Sequence, residues 1–152
     1  MLRWLRLLMA AALCASAATA VAAEDGTAAF QKREEVMKQL GRPFYLGVGK
    51  AVRGLTPLGP DAVDAAEKVA ATAKSLDPAL FPAGSDVSTS KMKPEIVTQK
   101  ERITQLSEAV RKAADGLVVA LKSGDKAAIS AAYAATNDAC NACHKDFRKS
   151  ED

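Results

Sequence analysis

Apolar residues recur at steps of three and four through most of this chain, and the stretches where they do so predict four helices. From Thr27 to about Val52 the stripe is Phe30, Met37, Leu40 and Phe44, with Arg33 on the same face. Pro43, Gly47 and Gly49 interrupt it. The proline predicts a kink or local break near Arg42, because it removes a backbone donor and disfavours helix at the preceding residue. A second helix is expected from Pro60 and Asp61, with Ala62, Ala66, Val69, Ala73 and Leu76 as its buried stripe. Residues 77–94, DPALFPAGSDVSTSKMKP, show no helical period and predict a long loop that crosses or wraps the bundle end, with Phe81 as its anchor. The third helix opens at Pro94-Glu95 and buries Ile96, Ile103, Leu106, Val110, Leu117 and Leu121. Gly124 suits the position after its end, and Asp125 is placed to cap a fourth helix running to about Lys149. Ala128, Ala131, Ala132, Ala135 and Ala139 are read as the inner face of that helix, small enough to leave room for something bulky. The fold class expected is all-α, an antiparallel four-helix bundle, a core that commonly holds cofactors.

The first residues do not belong to this pattern. MLRWLRLLMAAALCASAATAVAA has Arg3 and Arg6 ahead of a short apolar run, then small residues where a signal peptidase cuts. Residues 1–23 are therefore expected to be a removed secretory signal, and 24–152 the folded domain. A transmembrane anchor fits less well, since a span needs about 20 apolar residues and Ser16 and Thr19 break the run. Export to the periplasm follows for a Gram-negative source. The whole chain has 21 basic and 18 acidic residues; removing two arginines leaves 19 − 18 = +1. That balance, without a basic patch interleaved with aromatics, gives no reason to expect a nucleic-acid partner.

The chemistry sits in CNACHKDFR, residues 140–148. On a helix, Cys140, Cys143 and His144 lie at i, i+3 and i+4 and leave by nearly one face. Three uses compete. A disulfide oxidoreductase would place the motif at a helix N-terminus, where the dipole lowers the thiol pKa. A structural zinc needs further ligands, and the processed chain has no other His or Cys. Covalent haem attachment needs what is present: two thiols to add across the haem vinyl groups and an adjacent imidazole to reach the iron. The position late in the last helix of an exported all-α chain favours haem.

With those residues in view, the chain resembles the class II c-type cytochromes, the cytochrome c-prime family. The likeness extends to MKQLGR in the first helix, LFPAGS in the loop, KPEI before the third helix and SGDKAAI before the fourth. It departs at Val97, where the family often has tryptophan, and around Pro43 to Gly49, where one extra residue is present. The resemblance implies one covalent haem c per chain, attached at Cys140 and Cys143, with His144 as the proximal iron ligand. It implies Arg33 facing a haem propionate, Arg148 bordering the proximal pocket, and Met37 as the distal residue.

Two functions follow from the resemblance. A sulfur from Met37 opposite His144 would make a low-spin one-electron carrier for a redox partner protein. An open sixth position would make a five-coordinate protein that binds nitric oxide or carbon monoxide. The thioether favours the carrier. No second titratable cluster suggests an enzyme. Lys145, Arg148 and Lys149 form a basic end that could steer an acidic partner, and a homodimer is expected from the family's habit.

Overall fold

The computed structural model describes residues 26–150. Among them it forms four long helices and no strand: α1 (residues 26–52), α2 (Pro60–Ala73), α3 (Lys100–Ser123) and α4 (Lys126–Phe147). The predicted secretory leader lies outside the described residues.

Cross-bundle contacts give the directions. Arg102 at the start of α3 meets Asp146 at the end of α4, and Thr136 of α4 donates to the Ala113 carbonyl near the middle of α3. Lys122 at the end of α3 pairs with Glu67 of α2, while Arg111 donates to the carbonyls of Ala73 and Leu76 at the other end. Both pairs are therefore antiparallel. The core runs along the predicted stripes: Ala62, Ala66, Val69 and Ala73 from α2, Leu76 just beyond its end, and Ile103, Leu106, Val110, Leu117 and Leu121 from α3 are all buried.

Local signals behave as expected at two boundaries. Gly124 ends α3 with φ +72, the left-handed conformation that costs other residues most. The Asp125 carboxylate accepts from the amides of Ala127 and Ala128, satisfying two donors of the first turn of α4. Elsewhere the structure corrects the sequence. Pro94–Thr98 forms a short 3₁₀ turn, and α3 starts only at Lys100. Helix α4 stops at Phe147, because Arg148 and Lys149 turn out to pair with the Lys91–Lys93 backbone.

Of the kink or local break expected near Arg42, the break is absent, and the departure from regular helix begins one residue later. Arg42 keeps helical angles (φ −62, ψ −52), and the chain instead widens into a π-helical turn over Pro43–Val48. The Gly49 amide bonds the Phe44 carbonyl five residues back. One extra residue per turn lets the helix absorb the missing proline donor without stopping. The helix can then press close to its neighbours. A Cβ on Gly47 would lie 2.5 Å from the Ala65 Cβ, and one on Gly49 would lie 2.8 Å from the Tyr133 hydroxyl.

The alanine face of α4 is also corrected. Ala128, Ala131 and Ala135 are exposed, and Ala132 and Ala139 only half-buried. The inward positions are Ile129, Thr136 and Phe147, which follow a different helical row. The larger apolar residues take the core, where burial stabilises them most, and the alanines outside that row serve helix propensity.

Candidate functional site

Between the helices lies a cavity of about 70 Å³ that opens to solvent. Its wall is almost entirely apolar. Met37, Leu40, Gly41, Phe44 and Tyr45 come from α1, Val69 from α2, and Ile103, Leu106, Ser107 and Val110 from α3. Leu76 and Phe81 close it from the start of the long loop, and Cys140, Cys143 and His144 form the α4 side.

The structure thus brings Met37, Cys140, Cys143 and His144 to one cavity. The two cysteines form no disulfide with each other and are half-buried. Burial raises the Cys140 thiol pKa. It pushes the Cys143 thiol up to about 11, with nearby Asp146 adding to the rise. This is the opposite of the lowered pKa that a thiol–disulfide catalyst needs. Among the described residues no group of three or more His, Cys, Asp or Glu could hold a metal ion by itself, so a zinc site finds no support. The His144 pKa is lowered, first by burial and then by the Arg148 charge. The imidazole is thereby held in the neutral form that can ligate iron.

Haem fits this donor set. Two nearby thiols and a neutral imidazole share the wall of a cavity whose remaining surface is almost entirely apolar, with Ser107 and Tyr45 the hydroxyl-bearing exceptions, as suits a porphyrin face. The profile of the family described as Cytochrome C′ matches residues 28–148. The chain belongs to the cytochrome c′ family. A cytochrome c′ from Rhodospirillum rubrum is 31% identical over 145 residues, covering 94% of this chain and 97% of that one. Cytochrome c prime from Shewanella frigidimarina superposes with a TM-score of 0.75 at 27% identity, covering 82% of this chain and 97% of the other. A cytochrome c′ described with ligand-controlled dimer dissociation shares the fold with a TM-score of 0.74 at 22% identity, over 82% and 97% of the two chains. As a cytochrome c′, the chain carries one covalent haem c.

Arg148 lines a surface recess with Lys93, His144, Lys145, Lys149 and Ser150, and is not among the residues lining the cavity. Lys93 donates to the carbonyls of Lys145 and Asp146, and Lys149 to that of Ser90, so the basic end also ties the loop to α4.

Arg33, which the resemblance sets facing a propionate, is not among the residues lining the cavity, and its partners in this structure lie in the long loop. It is buried, and its guanidinium donates to the Leu80 carbonyl (3.0 Å), the Ser85 hydroxyl (3.1 Å) and carbonyl (2.8 Å), and the Ser90 hydroxyl (3.1 Å). It also sits 5.7 Å from the ring centres of Phe30 and Phe81. The long loop folds over this one side chain, which Gly84 at φ +80 helps it to do. Phe81, predicted as the loop's anchor, is buried between Arg33 and the cavity.

Gly41, Tyr45, Val69 and Leu76 were not foreseen as cavity residues. Val69 and Leu76 were legible only as core. Tyr45 and Gly41 follow Met37 at steps of four, a row that a search for apolar residues passes over because it holds a glycine and a hydroxyl-bearing ring.

Proposed function

We propose that this cytochrome c′ is a five-coordinate, high-spin haem protein of the periplasm that binds neutral diatomic gases, nitric oxide and carbon monoxide. The observation that carries it is family membership joined to the wall contributed by α1. Cytochromes c′ are typically high-spin and five-coordinate. The α1 residues Met37, Leu40, Gly41 and Phe44 offer no hydrogen-bond donor to a ligand. The Tyr45 hydroxyl is engaged with Asn137 instead. Distal polarity and steric access decide what a haem iron binds. An apolar wall suits nitric oxide and carbon monoxide, which bind ferrous iron without help from a donor.

His144 supplies the proximal nitrogen in this reading, and the thioethers from Cys140 and Cys143 hold the macrocycle in place. Met37 fills distal space. The chain acts by binding and electron exchange rather than by turning over a substrate. Electron exchange with an acidic redox partner would use the basic end at Lys145, Arg148 and Lys149. The exposed leucines Leu46, Leu55 and Leu58 provide an apolar face for a second copy.

A second reading, the electron carrier, is favoured by one fact: Met37 is the thioether on the cavity wall, and methionine opposite histidine is an established axial pair. Optical spectra of the oxidised, reduced and carbon monoxide-treated protein separate the two. A high-spin ferrous spectrum that shifts on adding carbon monoxide is expected. A low-spin spectrum indifferent to the gas would overturn the proposal and leave Met37 as sixth ligand.

A further inference from the structure

The cavity opens along one seam. Its lining residues from α2, α3 and the loop are buried. Met37 and Gly41 of α1, and Cys140, Cys143 and His144 of α4, are half-buried, and Tyr45 is 42% exposed. Met37, Gly41 and Tyr45 follow one another at steps of four, so they form the α1 edge of the opening.

Gly41 is the gap in that edge. The other three glycines of α1 are explained by packing, since Cβ atoms added at Gly26, Gly47 and Gly49 would strike the Gly84 carbonyl, Ala65 and Tyr133. A Cβ at Gly41 would meet nothing within 4 Å. Glycine inside a helix weakens it relative to alanine, and neither neighbouring atoms nor backbone conformation requires it here. What it does provide is free space beside the cavity, one turn from Met37.

Tyr45 closes the next turn. Its hydroxyl donates to Asn137 Oδ1 at 3.2 Å, linking α1 to α4 three residues before Cys140. Its ring stands edge-on to Phe44, with centres 4.9 Å apart and planes at 75°. Phe44 is fixed from behind, buried and stacked on Tyr133 at 4.6 Å. The pair therefore has a rigid inner ring and an outer ring held across the seam by a single hydrogen bond.

We propose that gas ligands enter through the seam between α1 and α4 at Gly41, and that the Tyr45–Asn137 hydrogen bond is the gate beside this port. The inference rests on the gas-binding function above. A port residue alters the barrier between solvent and cavity, so association and dissociation rates change together. A residue touching the bound ligand changes mainly one of them.

The test uses the reduced holoprotein and carbon monoxide, with both rates measured for the unaltered protein, Gly41→Val, Gly41→Ala and Tyr45→Phe. Gly41→Val should slow association and dissociation by similar factors, with Gly41→Ala intermediate. Tyr45→Phe keeps the ring but loses the latch, and should speed both by about fivefold, the scale of one hydrogen bond in a barrier. Unchanged rates in all three variants would overturn the port, as would a change in dissociation alone. So would Gly41→Ala accumulating without haem, which would mean that the glycine makes room for the macrocycle. If the unaltered protein does not bind carbon monoxide, its spectrum shows this directly, and the functional proposal fails together with the port.

Discussion

Replacing Arg33 with alanine should cost this bundle about 3 kcal/mol. The side chain is 7% exposed and donates four hydrogen bonds into the loop. Two acceptors have substitutes: the Ser85 hydroxyl also donates to the Pro82 carbonyl, and the Ser90 hydroxyl also accepts from the Met92 amide. The carbonyls of Leu80 and Ser85 have no such relief, and an orphaned buried acceptor costs roughly 1–3 kcal/mol. The sum spans about 2–6 kcal/mol, and water entering the emptied space brings it to the lower half. For a domain of this size that lowers Tm by about 10 °C, measurable by far-UV circular dichroism on the holoprotein. Burial lowers the Arg33 pKa, yet a guanidinium stays charged at any working pH, so the loss should not vary with pH. Arg33→Lys should recover little, because one ammonium cannot reproduce the fork. A double-mutant cycle with Ser90→Ala should show coupling above about 0.5 kcal/mol. A Tm shift of less than about 2 °C, or strict additivity with Ser90→Ala, would refute the loop clamp and return Arg33 to the propionate role.

Further outcomes follow from other sites. Met37→Ala should leave the ferrous spin state unchanged and raise carbon monoxide affinity by about tenfold, as relief of a steric barrier worth ~1.4 kcal/mol would; a low-spin to high-spin conversion would show instead that the sulfur was bound. In apoprotein, the Cys143 thiol pushed up to about 11 should keep gaining alkylation rate with pH beyond the ordinary thiol value of 9.0. Because the folded state holds that proton more firmly, its stabilisation is complete below the unfolded value and is lost as pH rises towards about 11, which urea titrations across that window would detect. Gly124→Ala forces a Cβ into φ +72 and should cost about 1 kcal/mol, a Tm fall of a few degrees, with the spectrum unaltered.

Much of the architecture was legible because its signals are local. The stripes of α2 and α3 depend on a 3.6-residue repeat, Asp125 caps from two residues away, and Gly124 needs only its own φ. The attachment motif is equally local: helical geometry alone puts Cys140, Cys143 and His144 on one face. Sequence therefore determined the helices, the boundary between α3 and α4, and the bundle class. Tertiary structure decided everything that depends on what another helix presents. It turned the Pro43 break into a π turn, because close packing against Ala65 and Tyr133 makes continuing the helix more favourable than ending it. It gave Arg33 to loop carbonyls 47 and 52 residues away, partners that no periodicity can point to. It rotated α4 so that Ile129 and Thr136 face inward in place of the alanines, since burial depends on the neighbours' shape as well as on the helix's own pattern. It also set Met37, Gly41 and Tyr45 along an open seam, and exposure of that kind exists only once two helices lie side by side.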